Sequence, residues 1–216
     1  MRIRNWMTPN PLTVTPDALL MDAKKLMATN NIRRLPVVDK KGRLVGLLTR
    51  HLIIEAMPSG ATTLSVHELH YLLEKLTVGE VMQKDPITVD PEDLVQNVIL
   101  LGHKKGIGAF PVVENGKLVG IVTESEIFNA VMSLLGPREG TCLLVLENVE
   151  LSKEVGATSR IASIIEKRGV PVEAIFTVPH RTRAGNQVYI RARTPNSGNL
   201  QADLDAAGFK VVPLPI

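Results

Sequence analysis

Residues 33–49 read RRLPVVDKKGRLVGLLT, and residues 108–127 read GAFPVVENGKLVGIVTESEI. Each stretch holds a Pro-Val-Val run, a Gly-containing turn, and a second apolar run that ends in Thr. Apolar, β-branched runs on either side of a short turn predict a hairpin. The strands fall at 35–38 and 44–48 in the first copy, and at 110–113 and 118–122 in the second.

Working outward, the hairpins belong to a longer repeat. A shift of 75 residues lays Met7, Pro11, Thr13, Val14 and Pro16 on Met82, Pro86, Thr88, Val89 and Pro91. It lays Leu19, Leu26, Ile32, Pro36, Val37 and Val38 on Leu94, Leu101, Ile107, Pro111, Val112 and Val113. One residue is lost in the second turn, and the match resumes from Gly42 on Gly116 to Ile53 on Ile127. A fixed period of this kind marks a duplicated structural unit.

Each unit starts with an extended piece, 12–14 or 87–89. Thr15-Pro16-Asp17 and Asp90-Pro91-Glu92 then place a capping residue, a proline and an acid where a helix begins. Leu19, Ala23 and Leu26, like Leu94, Val98 and Leu101, keep the i, i+4, i+7 spacing of one helical face. A second helix is expected after Thr49 and after Thr123. The order is β-α-β-β-α, twice, over residues 1–57 and 78–135. Between them, 58–77 opens on Pro58-Ser59-Gly60. Ser65-Val66-His67-Glu68 reads as a capping box, and Leu69, Leu72, Leu73 and Leu76 form a stripe, so a connecting helix is expected over 66–76. Gly136-Pro137 breaks the chain, giving a linker at 136–140.

The remaining residues, 141–216, have another pattern. Strands are expected at 141–146, 172–178, 187–193 and 210–214, with a turn over 181–186. Helices are expected at 158–167, with Ile161, Ile164 and Ile165 inward and Gly169 as stop, and at 199–207 before Gly208. This is the β-α-β-β-α-β order of the ferredoxin-like motif. The fold class is α/β (α+β) throughout.

Composition excludes several functions. The 216 residues are 44% hydrophobic and 22% charged, as in an ordinary globular chain. No run approaches the ~18 apolar residues of a membrane span. The opening MRIRNWMTPNP lacks the apolar core of a secretory signal, so a cytoplasmic, non-membrane protein is expected. Cys142, the single cysteine, supports neither an intrachain disulfide nor a cysteine-rich zinc site. Seven aromatic residues and a net charge of +3 argue against a nucleic-acid platform.

The two hairpin stretches resemble the core motif of cystathionine-β-synthase-type (CBS) domains, and two such units make a CBS pair. KEVGATSRIASIIEKRGVPVEAI, at 153–175, resembles the first loop and helix of an ACT domain, a regulatory ferredoxin-like module. A CBS pair followed by an ACT-like domain is the layout of the acetoin utilization protein B family. The resemblance implies binding of an adenine-containing ligand (AMP, ADP, ATP or a related adenosyl compound) in clefts of the pair, and a homodimer.

In nucleotide-binding CBS domains a Thr or Ser and an acid three residues later mark the strand-to-helix turn. The hydroxyl meets phosphate and the acid accepts from ribose. Here the pair is Thr123 and Glu126. The physics suits the task, since a helix N-terminus favours phosphate and a carboxylate takes charge-assisted bonds from vicinal hydroxyls. Thr-Glu-Ser-Glu is equally a capping box with no ligand. Glu126 stands where the family usually has Asp. The resemblance places the base against Thr88, Val89, Ala109, Phe110 and Pro111, although Phe110 also suits a core. In the first copy the matching positions are Thr13, Val14, Leu35, Pro36 and Thr49, but Leu52 replaces the acid. Arg33, Arg34 and Arg50 lie near the matching turns, either as phosphate contacts or as solvated surface charges. The second copy is therefore expected to keep ribose recognition, with the first cationic or empty. In the ACT-like part, Glu154, Val155, Gly156 and Ala157, after Lys153, match the effector loop or form a plain turn. His180, Arg181, Arg183, Arg191 and Arg193 cluster on the following hairpin. Strand alternation puts Tyr189, Arg191 and Arg193 on one face, read as solvated, and Val188, Ile190 and Ala192 on the other.

No catalytic constellation is visible. His67 and His70 are three apart, not the four of a zinc-protease helix, and no metal site or catalytic cofactor is expected. Cys142 sits in an apolar strand as an inert thiol. The expectation is a non-enzymatic regulatory sensor. The alternatives are a structural adaptor for a partner enzyme with empty clefts, and, less favoured, a nucleic-acid-binding regulator.

Overall fold

The computed structural model describes residues 1–57, 75–136, 138–147, 149, 154–179 and 186–212. Most of the expected connecting helix, with His67 and His70, lies outside these residues. So do Pro137, Lys153, His180, Arg181, Arg183 and the end of the last expected strand. The chain divides into two compact units, Met1–Leu134 and Leu135–Ile216.

The first unit contains both hairpins. Strands β2 (Arg34–Val38) and β3 (Leu44–Thr49) pair antiparallel, with Leu35 opposite Leu48. Strands β5 (Ala109–Glu114) and β6 (Lys117–Thr123) pair likewise, with Phe110 opposite Val122. The second turn has Asn115 and Gly116 both at positive φ, 50° and 76°, as a two-residue hairpin turn requires. The extended pieces reduce to single parallel bridges, Val14 to Val37 and Val89 to Val112.

Each hairpin takes its third strand from the segment that leads into the other copy. Strand β1 (Thr8–Pro9) pairs with β6, and β4 (Gln83–Lys84) pairs with β3. The exchange has a hydrogen-bond pattern repeated at the 75-residue offset. Ile3 N–H donates to Asp93 O and Val78 N–H to Ala18 O, both at 2.9 Å. Ile3, Trp6 and Met7 accordingly pack in the second core with Val98, Phe110 and Val122. Val78, Val81 and Met82 pack in the first with Leu20, Leu35 and Leu48. On the surface, Arg2 and Arg4 clip the crossing segment to Glu92, and Arg4 reaches Glu114 at 2.6 Å. Arg4 first, then Arg2, holds the Glu92 carboxyl below its ordinary range.

Two repeated identities follow from this crossing. A Cβ on Gly46 would come 2.3 Å from Met82 Sδ, and one on Gly120 would come 2.5 Å from Met7 Sδ. The methionine of each leading segment lies over the glycine of the opposite hairpin, so Met7/Met82 and Gly120/Gly46 are two halves of one packing device.

The helix starts differ from the sequence reading. Helices α1 (Leu20–Thr29) and α4 (Val95–Lys105) begin several residues after Thr15 and Asp90. Thr15–Ala18 and Asp90–Asp93 are turns, closed by Ala18 N–H to Thr15 O at 3.1 Å and Asp93 N–H to Asp90 O at 3.0 Å. Proline suits the second place of such a turn as well as the first of a helix. The carbonyls of Pro16 and Ala18 receive Gly79 and Val78 N–H from the crossing segment. The buried stripe therefore shifts to Leu20, Ala23 and Met27, and Leu19 stays exposed. Helices α2 (Arg50–Glu55) and α5 (Glu124–Leu135) follow Thr49 and Thr123, and a short helix α3 (Val78–Val81) lies in the crossing segment.

In the second unit, β7 (Cys142–Glu147), β8 (Val172–Pro179), β9 (Asn186–Ala192) and β10 (Lys210–Val212) form an antiparallel sheet of order β10-β7-β9-β8. Helices α6 (Ala157–Glu166) and α7 (Gly198–Ala206) supply Ile161, Ile165, Leu200 and Leu204 to its core. Strand β9 lies between β7 and β8, as in a split β-α-β unit. Val188, Ile190 and Ala192 face this core, as alternation predicts.

Candidate functional site

Thr123 ends β6 and caps α5. Its hydroxyl accepts from Ser125 N–H at 3.3 Å. Glu126 Oε2 accepts from Thr123 N–H at 2.9 Å and from the Thr123 hydroxyl. This is the capping geometry that the sequence allows. The other oxygen, Oε1, takes among the described residues only a long contact, 3.4 Å, from the Thr8 hydroxyl. It lies in a cleft of about 660 Å³ whose wall includes Thr8, Asn10, Leu12, Arg33, Arg34, Thr123, Ser125 and Glu126.

A second cleft, about 400 Å³, is the counterpart of the first under the repeat. Thr49 stands for Thr123, Gln83 for Thr8, and Gly108-Ala109 for Arg33-Arg34. Thr49 accepts from Leu52 N–H at 3.2 Å. Leu52 packs on the first core, so an apolar contact occupies the place of the acid. Arg50 and His51 line this cleft, and among the described residues no carboxylate does. His51 Nε2 lies 3.1 Å from Glu55. Arg33 and Arg34 line both clefts. Among the described residues, no carboxylate is ion-paired with Arg33, Arg34 or Arg50.

The structure thus joins what the sequence separates. Arg33 and Arg34, from the first copy, line the same cleft as Thr123 and Glu126 of the second. The residues expected to meet the base do not line that cleft. Val89 and Phe110 are buried in the second core, and Leu35 in the first. Pro36 and Pro111 are buried in their strands. Thr13 and Thr88 are exposed, Val14 is half-buried, and Ala109 lines the second cleft. The Val89 N–H donates to Pro111 O at 3.1 Å, and its carbonyl accepts from Val113 at 3.0 Å, so both groups are engaged within the protein. Thr8, Asn10 and Leu12 were not identified from sequence. Only the crossing of the leading segment brings them to the site.

In the second unit, Glu154, Val155, Gly156 and Ala157 form a tight turn. Ala157 N–H donates to Glu154 O at 3.2 Å, Gly156 has φ +86°, and Arg160 holds Glu154 Oε1 at 2.9 Å. Val155 is wholly exposed and Ala157 is buried. The hairpin face expected to be solvated is so only in part: Arg193 is exposed, Tyr189 half-buried and Arg191 buried. Tyr189 stacks on Phe176 with ring centres 5.2 Å apart. Arg193 Nε donates to Glu173 Oε1 at 2.8 Å. Arg191 is 2% exposed and donates to the carbonyls of Leu135, at 2.8 Å, and Gly136. The alternation was right, but chain from 55 residues away covers the arginine. Cys142 is half-buried beside the core, and burial pushes its thiol pKa up. Among the described residues no helix is long and apolar enough to cross a membrane.

The CBS domain family matches residues 3–59 and 78–133. The chain is 29% identical over 126 residues to L-aspartate semialdehyde sulfurtransferase of Methanocaldococcus jannaschii, covering 58% of this chain and only 22% of that protein. Among solved structures, it is similar to an acetoin utilization protein (AcuB) from Vibrio cholerae, with TM-score 0.53 and 30% identity over 62% of this chain and 93% of that one. CBSX2 in complex with AMP matches with TM-score 0.52 and 26% identity, over 62% of this chain and 98% of that one. The CBS pair of MJ0100, in complex with 5′-methylthioadenosine and S-adenosyl-L-methionine, matches with TM-score 0.52 and 27% identity over the same shares. These structural matches each cover about three-fifths of the chain.

Proposed function

The chain belongs to the CBS domain family, and on that premise we propose that it is a regulatory sensor whose first cleft binds an adenine nucleotide. One observation carries the reading: the Thr123–Glu126 turn faces one cleft with Arg33 and Arg34, which no carboxylate of the described residues pairs. Glu126 Oε1 has a long internal contact and is available to accept from a ribose diol. Thr123, at the head of the 12-residue helix α5, and the two guanidinium groups suit a phosphate. The base lies against Leu12 and Ile121, apolar groups on the same wall. The AMP and S-adenosylmethionine complexes of the similar CBS pairs support an adenosyl ligand.

The protein acts without catalysis, in the cytoplasm, as a homodimer. Ile99 on α4 and Phe128 on α5, both exposed, line one apolar cleft with Val131 and offer a face for self-association. The second unit is an ACT-like domain that relays ligand occupancy to a partner enzyme. Its sheet order and its exposed loop at Val155 support that assignment. A ligand shifts such an arrangement only by preferring one of its states.

Calorimetric titration with AMP tests the site. Glu126→Ala removes the ribose acceptor and lowers affinity about tenfold or more, the effect of losing a charge-assisted bond. Arg34→Ala lowers it similarly. Unchanged AMP affinity in Glu126→Ala overturns the ribose role.

A further inference from the structure

The two clefts are not equivalent, and the difference lies in charge. The first carries carboxylates, Glu124 and Glu126, beside Arg33 and Arg34. The second carries Arg50 and His51 beside the same two arginines and, among the described residues, no acid. Where the first copy has Arg33-Arg34, the second has Gly108-Ala109. A Cβ on Gly108 would come 3.0 Å from Arg34 Nη2 and 2.7 Å from Glu124 Oε1. Arg34 therefore lies across a position that bears no side chain, on the boundary of both clefts. Backbone bonds fix this boundary from both sides, Arg50 N–H to Arg33 O at 2.9 Å and Glu124 N–H to Gly108 O at 3.2 Å.

We propose that the second cleft is an oligophosphate subsite, coupled to the first through Arg33 and Arg34. Guanidinium groups that no carboxylate of the described residues pairs favour a multiply charged anion with several acceptor oxygens. Leu52, in place of the acid, removes the carboxylate that would take charge-assisted bonds from a sugar, and with Thr49 and Gln83 as neutral acceptors the arginines favour a phosphate chain over a second nucleoside. That chain is either the tail of the nucleotide in the first cleft or a free oligophosphate. Only the first source rests on the nucleotide reading given above.

Titration calorimetry on the full chain tests this with three probes: tripolyphosphate, AMP and ATP. Tripolyphosphate binds the wild type, and more weakly as salt is raised. Arg50→Ala, checked for an unchanged melting temperature, weakens it about tenfold or more, and Arg50→Lys recovers part of the loss. If the tail is the source, ATP binds about tenfold tighter than AMP, one per chain, and blocks tripolyphosphate. If a free oligophosphate is the source, ATP binds no tighter than AMP, and tripolyphosphate still binds protein saturated with ATP. Tripolyphosphate binding without any AMP binding removes the nucleotide reading and leaves the subsite. No tripolyphosphate binding, or an affinity indifferent to Arg50→Ala, overturns the proposal.

Discussion

Substituting Gly120 by alanine probes the crossing of the leading segments. The new methyl would stand 2.5 Å from Met7 Sδ and 3.1 Å from the Thr8 carbonyl. The thioether can swing aside, but the carbonyl belongs to β1, which is paired with β6 at this point. Overpacking of this kind costs about 1–3 kcal/mol. The loss of unfolded-state freedom on replacing Gly returns about 0.4–1 kcal/mol. With overpacking in the upper half of that range, about 2–3 kcal/mol, as contacts this short require, the net loss is about 1–2.6 kcal/mol, or a fall of about 2–10 °C in melting temperature for a chain of this size. Differential scanning calorimetry measures it, and hydrogen exchange locates it. Protection should fall in β1 and β6 together. In a Met7→Ala background the cost of Gly120→Ala should shrink, with a coupling of about 0.5 kcal/mol or more. Gly46→Ala should behave in parallel, since its methyl meets Met82 Sδ. Unchanged or raised stability in Gly120→Ala, or full additivity with Met7→Ala, refutes the packing argument.

Three other outcomes are expected. Arg191→Met should destabilise the second unit by about 2–4 kcal/mol, because it leaves the Leu135 and Gly136 carbonyls without this donor; calorimetric melting that matches wild type contradicts this. Arg168 grips Asp203 with bonds of 2.6 and 2.8 Å and holds its carboxyl below the ordinary range. The folded state therefore binds this proton less readily, and the contribution is present above about pH 4 and lost as pH falls through the lowered value. Denaturation of Asp203→Asn should show a flatter acid limb, and an identical limb rules the contribution out. Cys142 should react slowly with a thiol reagent in the native protein and quickly in denaturant, since burial raises its pKa.

Much of the fold is legible from local chemistry. Asn115-Gly116 and the β-branched runs specify the second hairpin whatever surrounds it. The glycines at 169 and 208 end their helices in the left-handed region, φ +69° and +89°. Strand alternation correctly sorts Val188, Ile190 and Ala192 inward. What escapes is set by partners distant in sequence. The repeat pairs Met7 with Met82, but its pattern is the same whichever hairpin each one closes. The helix signal at Thr15-Pro16-Asp17 loses to a turn because the crossing segment takes the carbonyls. For the same reason the site was half legible. Thr123 and Glu126 are marked by spacing within one turn. Arg33, Arg34 and Thr8 reach the cleft through tertiary contacts that no spacing encodes.

The most direct measurement is thermal melting of the full chain with AMP, ADP, ATP and S-adenosylmethionine in turn. At about 100 times the dissociation constant, a ligand that binds only the folded state adds about 2.7 kcal/mol. For this chain length that is a rise of about 5–11 °C. Such a rise is expected for at least one of the four, diminished in Glu126→Ala. No shift with any of them contradicts it.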